Sequence, residues 1–213
     1  MCSGRVDLKF VFRAFANGCD GVLIGGCRLN ECNYATQGNY DALAVTLIGR
    51  HLLARVGLHP DRLRISFMSG GDGNLLAEAA TSFSQRIREL GPLGAGEGVD
   101  AELLGLKLRA LERLAPFLRL VERERLRVPV KSREAYEAFF GGEEGKKLLD
   151  GVVAEKLAVS QIMLLLERGP LSTGEIATTL GLSPSEVSRH LGSSSRHGLV
   201  RYDVERKRYS LAS

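Results

Sequence analysis

The sequence lacks several features that would place it in a familiar class. No run approaches the roughly 18 consecutive apolar residues that a membrane-spanning helix needs, so we predict no membrane segment. No apolar signal segment follows a basic start, and a cytoplasmic, reducing location is therefore the expectation. No nucleophile–base constellation or phosphate-binding loop is recognisable, so we do not expect the chain to be an enzyme on its own.

Cysteine is scarce and confined to one end. All four cysteines of the 213-residue chain fall within its first 32 residues, at Cys2, Cys19, Cys27 and Cys32. In a chain expected to be cytosolic, such crowding favours metal binding or redox chemistry over disulfide bridges. Cys27 and Cys32 form a Cys-x4-Cys pair after two glycines, which suits zinc or an iron–sulfur centre. Cys2 and Cys19 could supply further ligands. Alternatively, Cys2 belongs to a disordered terminus and Cys19 is a small buried residue.

Strong charge of one sign is also missing. The net charge is +4, and a bias of this size does not by itself indicate a nucleic-acid partner. The positive residues are nevertheless concentrated late in the chain. From Glu186 to the end, six Arg or Lys residues face three acidic ones.

What is present, over residues 1–95, is an alternation of helix and strand. Asp7 is placed to cap a first helix and Gly18 to end it. Strands are predicted at 21–24 and 62–68, and further helices at 40–56 and 74–90. This order indicates an α/β domain with a parallel sheet, where ligands gather at the carboxyl ends of the strands.

Two strands make a thin sheet, so we predict an incomplete flavodoxin- or Rossmann-like parallel sheet. Either an N-terminal strand or two is missing or comes from a partner, or the later segments complete the core. The next segment, 96–152, is predicted as a helical connector that contains an amphipathic helix over 101–126. We expect Pro116 to kink or divide that helix.

The last segment, 153–213, is predicted as an α+β winged helix-turn-helix domain. A helix over 157–168 is followed by two capping boxes, Ser172–Glu175 and Ser183–Glu186, each of which opens a further helix. A basic hairpin then follows. We expect five apolar residues to form its core: Ile176, Leu180, Val187, Leu191 and Leu199.

The predicted recognition helix begins at Ser183, and its first half would face the bases of bound DNA. The candidate contacts there are Ser185, Ser188, Arg189 and His190, and the candidate wing contacts are Arg206, Lys207 and Arg208. The segment resembles the winged helices of ArsR- and MarR-like regulators. Because winged helices also dock proteins, DNA and protein both remain candidate partners.

A second resemblance rests on an ordered series of short motifs over residues 1–92. The series comprises Met1-Cys2-Ser3-Gly4-Arg5-Val6, Phe12-Arg13-Ala14-Phe15, Gly18-Cys19-Asp20-Gly21-Val22, Gly26-Cys27 with Cys32, Tyr34, Gly38-Asn39, Arg62-Leu63-Arg64, Ser69, Gly73 and Leu90-Gly91-Pro92. Together these motifs resemble the delta subunit of methyl-viologen-reducing hydrogenase.

The resemblance implies an iron–sulfur protein that holds a [2Fe–2S] cluster. It implies Cys2, Cys27 and Cys32 as ligands, whereas Cys19 falls where the family usually has a small residue that is not a ligand. It also implies an accessory electron-transfer subunit of an oxidoreductase complex. Such a subunit relays electrons from a hydrogenase or formate dehydrogenase to a heterodisulfide-reductase-like flavin subunit.

The chain departs from the family pattern at two places. The family has an upstream strand and a Cys-x2-Cys pair before the Cys2 motif, and its loop tends to His-Pro-Gly-Asp where this chain has Arg28-Leu29-Asn30-Glu31. A late start codon, a separate upstream gene or a selenocysteine codon read as a stop would each explain the abrupt start. Two functions therefore stand as hypotheses. One is an electron-transfer subunit, and the other is an iron–sulfur, redox-responsive DNA-binding transcription regulator.

Overall fold

The computed structural model describes residues 2–34 and 37–212, and its first part is the predicted α/β unit. Strands β1 (Val22–Gly26) and β2 (Leu63–Phe67) pair in parallel, with Val22 opposite Leu63 and Gly26 opposite Phe67. Three helices alternate with them: α1 (Leu8–Ala16), α2 (Asn39–Arg55) and α3 (Gly73–Leu90). The prediction of a mixed α/β fold with a parallel sheet is confirmed.

Local sequence explains where α1 begins and ends. The side chain of Asp7 accepts a hydrogen bond from the backbone N–H of Lys9, as an N-cap does. Gly18 follows the helix with φ +89°, a conformation that a side chain would disfavour. The helix buries four apolar residues at helical spacing: Leu8, Val11, Phe12 and Phe15.

The two faces of the sheet are covered unequally. On one face Leu63 packs directly against Gly49 of α2, where an added Cβ would lie 2.5 Å from the leucine. On the other face α3 buries only Phe83, and its exposed residues include Leu75 and Leu76. Among the described residues the sheet contains β1 and β2 alone, so both of its edges lack a neighbouring strand within this part of the chain.

A buried arginine joins β2 to the end of α3. The Arg62 side chain is 0% exposed and donates to both carboxylate oxygens of Glu97, at 2.6 and 2.9 Å. It also donates to the backbone carbonyls of Asp20 at 2.9 Å and Gly91 at 3.0 Å. Because a buried charge is costly unless paired and hydrogen-bonded, this network holds three chain segments together.

The connector consists of α4 (Ala101–Arg125) and α5 (Arg133–Gly141), followed by the start of α6 (Glu143–Leu166). Pro116 was expected to kink or divide the first helix; it does not divide it, because α4 runs through it as one element, and the kink stays a prediction. Helix α4 packs along α1 and α6, so later segments do contribute to the core beside α1. One buried apolar cluster includes residues from Leu8 to Val200. The predicted domain limits, 1–95, 96–152 and 153–213, stay predictions.

The winged helix is completed by α7 (Thr173–Leu180), α8 (Pro184–Arg196) and an antiparallel hairpin of β3 (Val200–Asp203) and β4 (Arg208–Leu211). Both predicted capping boxes are present, each with its serine and glutamate bonded reciprocally. Leu199 is the exception to the predicted core, because it is 50% exposed. No helix within the described ranges is long and apolar enough to cross a membrane.

Candidate iron–sulfur site

Three cysteines from three segments meet at the carboxyl end of β1, and we refer to Cys2, Cys27 and Cys32 as the thiol cluster. Cys2 precedes a 3₁₀ turn (Ser3–Arg5), Cys27 follows the last residue of β1, and Cys32 lies in the loop before α2. The sulfur atoms of Cys2 and Cys32 are 4.0 Å apart. Cys27 is exposed, and its thiol is one of the groups that lower the pKa of the Cys32 thiol.

Backbone amides stabilise the thiolate form of Cys32, which is only 8% exposed. The N–H of Tyr34 has the largest effect and lowers the pKa of the Cys32 thiol, whereas burial raises it. The Asn39 N–H and then the thiols of Cys2 and Cys27 lower the pKa of Cys32 further, and the net shift is downward. A thiolate is also the form of cysteine that binds metal.

Glycines allow the three segments to approach this closely. Gly38 has φ +59°, and a Cβ there would lie 2.6 Å from the Cys32 sulfur. A Cβ on Gly4 would lie 2.5 Å from the carbonyl oxygen of Gly38. Neither position can carry a side chain without moving the backbone around the thiol cluster.

Asn39 is the supporting residue that sequence reasoning missed. It is 0% exposed, and its Nδ2 donates to the backbone carbonyls of Cys27 at 3.1 Å and Arg28 at 2.7 Å. One residue at the start of α2 therefore fixes the turn after β1 while its N–H bonds to Cys32. The sequence shows only an asparagine directly after a glycine at a helix start, which does not reveal that the side chain is buried against the cysteine loop.

The loops that follow β1 and β2 lie together, as predicted from the parallel sheet. Arg28 pairs with Asp72 at 2.6 Å, and Asp72 accepts a hydrogen bond from the Ser69 N–H at 2.7 Å. The hydroxyl of Tyr40 lies 2.8 Å from the side-chain oxygen of Asn30 in the cysteine loop. These contacts hold the cysteine loop from two sides.

Cys19 lies away from the thiol cluster. It is exposed and precedes β1, whereas the thiol cluster follows that strand. A five-residue strand spans roughly 17 Å, which is far beyond the reach of ligands on one centre. The structure therefore does not bring Cys19 to the other three cysteines.

The thiol cluster meets part of what an iron–sulfur centre requires. Within residues 2–34 and 37–212, no three His, Cys, Asp or Glu side chains are gathered closely enough to hold a bare metal ion. Two thiolates on one tetrahedral metal lie roughly 3.8 Å apart, near the 4.0 Å between Cys2 and Cys32. The sulfur atoms of Cys2 and Cys32 thus lie at a distance that fits thiolate ligation, and an iron–sulfur cluster requires four ligands.

The recognition helix α8 presents only part of the predicted DNA-binding set. Ser185, Ser188 and Arg189 are exposed. His190 is 4% exposed and corrects the prediction, because the helical period places it on the same face as Val187 and Leu191. Burial lowers the pKa of His190, which favours its neutral form.

The wing, too, leaves only part of its predicted DNA-binding residues free to contact DNA. Arg208 pairs with Glu175 at 2.8 Å and donates to the Pro170 carbonyl at 2.9 Å, so it fixes the hairpin to α7. Arg206 and Lys207 lie exposed in the turn between β3 and β4. Arg208 is therefore engaged within the domain, whereas the other two remain candidates.

Comparison with known proteins assigns both ends of the chain. Residues 1–91 match the family described as methyl-viologen-reducing hydrogenase, delta subunit. Residues 158–202 match the family described as bacterial regulatory protein, arsR family. These matches agree with the two resemblances drawn from the sequence motifs.

Individual relatives match the first of these regions. The iron-sulfur subunit of the F420-non-reducing hydrogenase of Archaeoglobus profundus is 45% identical over 91 residues, which are 43% of this chain and 66% of the relative. The vhu iron-sulfur subunit of the F420-non-reducing hydrogenase of Methanopyrus kandleri is 33% identical over 92 residues, which are 43% of this chain and 69% of the relative.

The same region also matches part of a much larger protein. This relative belongs to the ferredoxin:CoB-CoM heterodisulfide reductase of Methanosarcina mazei, and it is 38% identical over 95 residues, which are 45% of this chain. This chain spans only 12% of that relative. By its N-terminal region, the chain belongs to the family of methyl-viologen-reducing hydrogenase delta subunits, and it carries an arsR-type winged helix at its C-terminus.

Proposed function

We propose that the chain is an iron–sulfur electron-transfer subunit of a multisubunit oxidoreductase, with Cys2, Cys27 and Cys32 as cluster ligands. The observation that carries this proposal is the 4.0 Å approach of the Cys2 and Cys32 sulfurs near the end of β1, which Cys27 directly follows. Relatives named as iron-sulfur subunits of hydrogenases support it.

We propose a [2Fe–2S] cluster as the group held there. When bound, such a cluster supplies one-electron transfer. The Tyr34 and Asn39 N–H groups would stabilise negative charge on the Cys32 sulfur, and Asn39 would hold the Cys27 turn in place. No fourth thiol lies beside these three in the described part of the chain, so the remaining ligand would come from another group or from a partner protein.

The proposed partners follow from the relatives. One relative is a hydrogenase subunit, and another is a heterodisulfide reductase subunit that contains the same region within a longer chain. We propose that this chain docks between a hydrogenase or formate dehydrogenase and a heterodisulfide-reductase-like flavin subunit. Affinity purification from the native host should recover subunits of both kinds, and recovery of neither would contradict this assignment.

Anaerobic reconstitution with iron and sulfide tests the cluster itself. The expected product binds about two iron atoms per chain and shows visible absorption, with a reduced-state EPR signal. Cys27→Ser should abolish iron binding, whereas Cys19→Ser should leave it intact, because Cys19 lies at the other end of β1. A colourless, iron-free protein, or equal loss in both variants, would contradict the proposal.

A second candidate function is an iron–sulfur, redox-responsive transcription regulator. The arsR-family match and the exposed Ser185, Ser188 and Arg189 on α8 favour it. Gel shifts with the promoter of its own operon test it in the reduced and oxidised states. Arg189→Ala should weaken binding while Arg109→Ala, at an exposed position on α4, should not, and the absence of any shift would reject this function.

A further inference from the structure

Two buried polar atoms beside the thiol cluster have no hydrogen-bond partner among the residues that the structure describes. They are the hydroxyl oxygen of Ser3 and the side-chain oxygen of Asn39. The only other such atom in the described ranges is Nδ1 of His190, in the winged helix. Folded proteins satisfy nearly all of their buried polar atoms, so two exceptions at one site indicate a further polar group there.

Ser3 is held between the backbones of two proposed ligands. It directly follows Cys2, and a Cβ on Gly26, the residue before Cys27, would lie 3.2 Å from the Ser3 hydroxyl oxygen. The 3₁₀ turn fixes this position, because the Ser3 carbonyl accepts a hydrogen bond from the Val6 N–H at 2.9 Å. The hydroxyl therefore lies at the carboxyl end of β1, beside the turn that leads into Cys27.

The local backbone does not use the Ser3 hydroxyl. Serine side chains commonly bond to backbone N–H or C=O groups of their own turn. Here Cys2 is the residue that flanks the start of the 3₁₀ turn, and no side chain caps the turn. Ser3 thus retains an uncommitted O–H donor in a buried position.

The two unpartnered atoms differ in what they can bond to. The side-chain oxygen of Asn39 can only accept, and the amide nitrogen of the same side chain already donates to the Cys27 and Arg28 carbonyls. The hydroxyl of Ser3 can donate. Because the sulfur atoms of an iron–sulfur cluster accept hydrogen bonds, the Ser3 hydroxyl matches them and the Asn39 oxygen does not.

We propose that the Ser3 hydroxyl donates a hydrogen bond to a sulfur atom of the [2Fe–2S] cluster and raises its reduction potential. This inference rests on the function proposed above, because it requires that Cys2, Cys27 and Cys32 hold the cluster. The reduced cluster carries one more negative charge than the oxidised one, so the same hydrogen bond stabilises the reduced form more strongly. Ser3 would therefore adjust the potential without binding iron itself.

A redox titration followed by EPR, on the anaerobically reconstituted full-length chain, tests this inference. Ser3→Ala should bind as much iron as the wild type but have a lower potential. At the potential where half of the wild-type clusters are reduced, the ratio of reduced to oxidised clusters should fall roughly fivefold or more. Ser3→Thr, which keeps the hydroxyl, should retain the wild-type ratio, and a fall equal to that of Ser3→Ala would overturn the inference.

Ser66→Ala is the matched control and should leave the ratio unchanged. Ser66 pairs with Gly25, one position before Gly26, so it faces the opposite side of the sheet near the same end. A second measurement detects the proton itself. In ENDOR spectra of the reduced protein, one coupling to a proton that exchanges in deuterium oxide should disappear in Ser3→Ala and persist in Ser66→Ala.

The outcomes separate this inference from the function on which it rests. Normal iron content with an unchanged ratio in Ser3→Ala would overturn the role of Ser3 and leave the cluster assignment standing. An iron-free wild-type chain would overturn both. If Ser3→Ala binds no iron, Ser3→Gly is the second variant without a hydroxyl, and loss of iron from both would overturn a role confined to the potential.

Discussion

The thiol cluster and the recognition helix are built in opposite ways. Cys2 and Cys32 are 30 positions apart, and their contact depends on Asn39 and on two glycines that permit close approach. Helix α8 is fixed by a capping box within four consecutive residues, and its outer face is exposed. The first site depends on long-range contacts and the second on local ones, so substitutions should affect them very differently.

Arg62→Met should give the largest effect, because it removes the network that holds the α/β unit together. The change leaves the Glu97 carboxylate without its main partner, and we expect a loss of about 3–5 kcal/mol in the free energy of unfolding. Urea denaturation measures it. Arg64→Met, at an exposed position two residues later in β2, is the control and should cost less than about 1 kcal/mol. Similar losses in the two variants would show that the buried network is unimportant.

Gly38→Ala should damage the thiol cluster directly. The new Cβ would lie 2.6 Å from the Cys32 sulfur at a residue with φ +59°, so we expect about 2–3 kcal/mol of destabilisation and weaker iron loading. Denaturation and iron analysis provide the two measurements. Gly70 lies in the neighbouring loop, where an added Cβ would have no atom within 4 Å. Gly70→Ala should therefore change neither the stability nor the iron loading. Normal iron loading in Gly38→Ala would argue against the arrangement of the cysteine loop described above.

Glu122→Gln should change how stability depends on pH. The folded-state pKa of Glu122, about 7, is above its usual 4.5, so the protonated form is favoured by folding. That contribution is complete below about pH 4.5 and is lost as the pH rises through 7. The variant should therefore gain stability relative to wild type between pH 5 and pH 8, by on the order of 2 kcal/mol. A pH-independent difference would contradict the burial of this carboxyl.

Ser183→Ala should have the smallest effect of the four, because it removes one local cap. We expect a loss of about 1 kcal/mol, since the serine accepts a hydrogen bond from the Glu186 N–H. Thermal unfolding measures it, and Ser185→Ala on the exposed face of α8 is the control. If Ser183→Ala lowered the free energy of unfolding as much as Arg62→Met does, the contrast between local and long-range contacts would be wrong.

Elements whose signals are local were predicted well from the sequence. The Asp7 cap, both capping boxes and the alternation of helix and strand depend on residues within a few positions of each other. The exposure of Leu199 and the burial of His190 were not foreseen, because both depend on which neighbouring elements cover them. Pro116 was expected to kink or divide α4, and the helix, which packs against α1 and α6, is not divided there.

The candidate site was predicted only in part. The family resemblance named Cys2, Cys27 and Cys32, and the structure places the Cys2 and Cys32 sulfurs 4.0 Å apart, with Cys27 directly after β1 and Cys19 before it. The roles of Asn39 and Gly38 could not be read from the sequence, because they arise where α2 meets the cysteine loop. A buried polar residue that supports a loop has no periodic pattern of its own.

The length of α6 has a practical consequence for dissecting the protein. This single helix of 24 residues spans roughly 36 Å and belongs both to the connector and to the winged helix. A fragment beginning at residue 153 would sever it and discard Leu149, whose side chain is buried. A winged-helix fragment intended for separate study should therefore begin ahead of Glu143, so that the whole helix is retained.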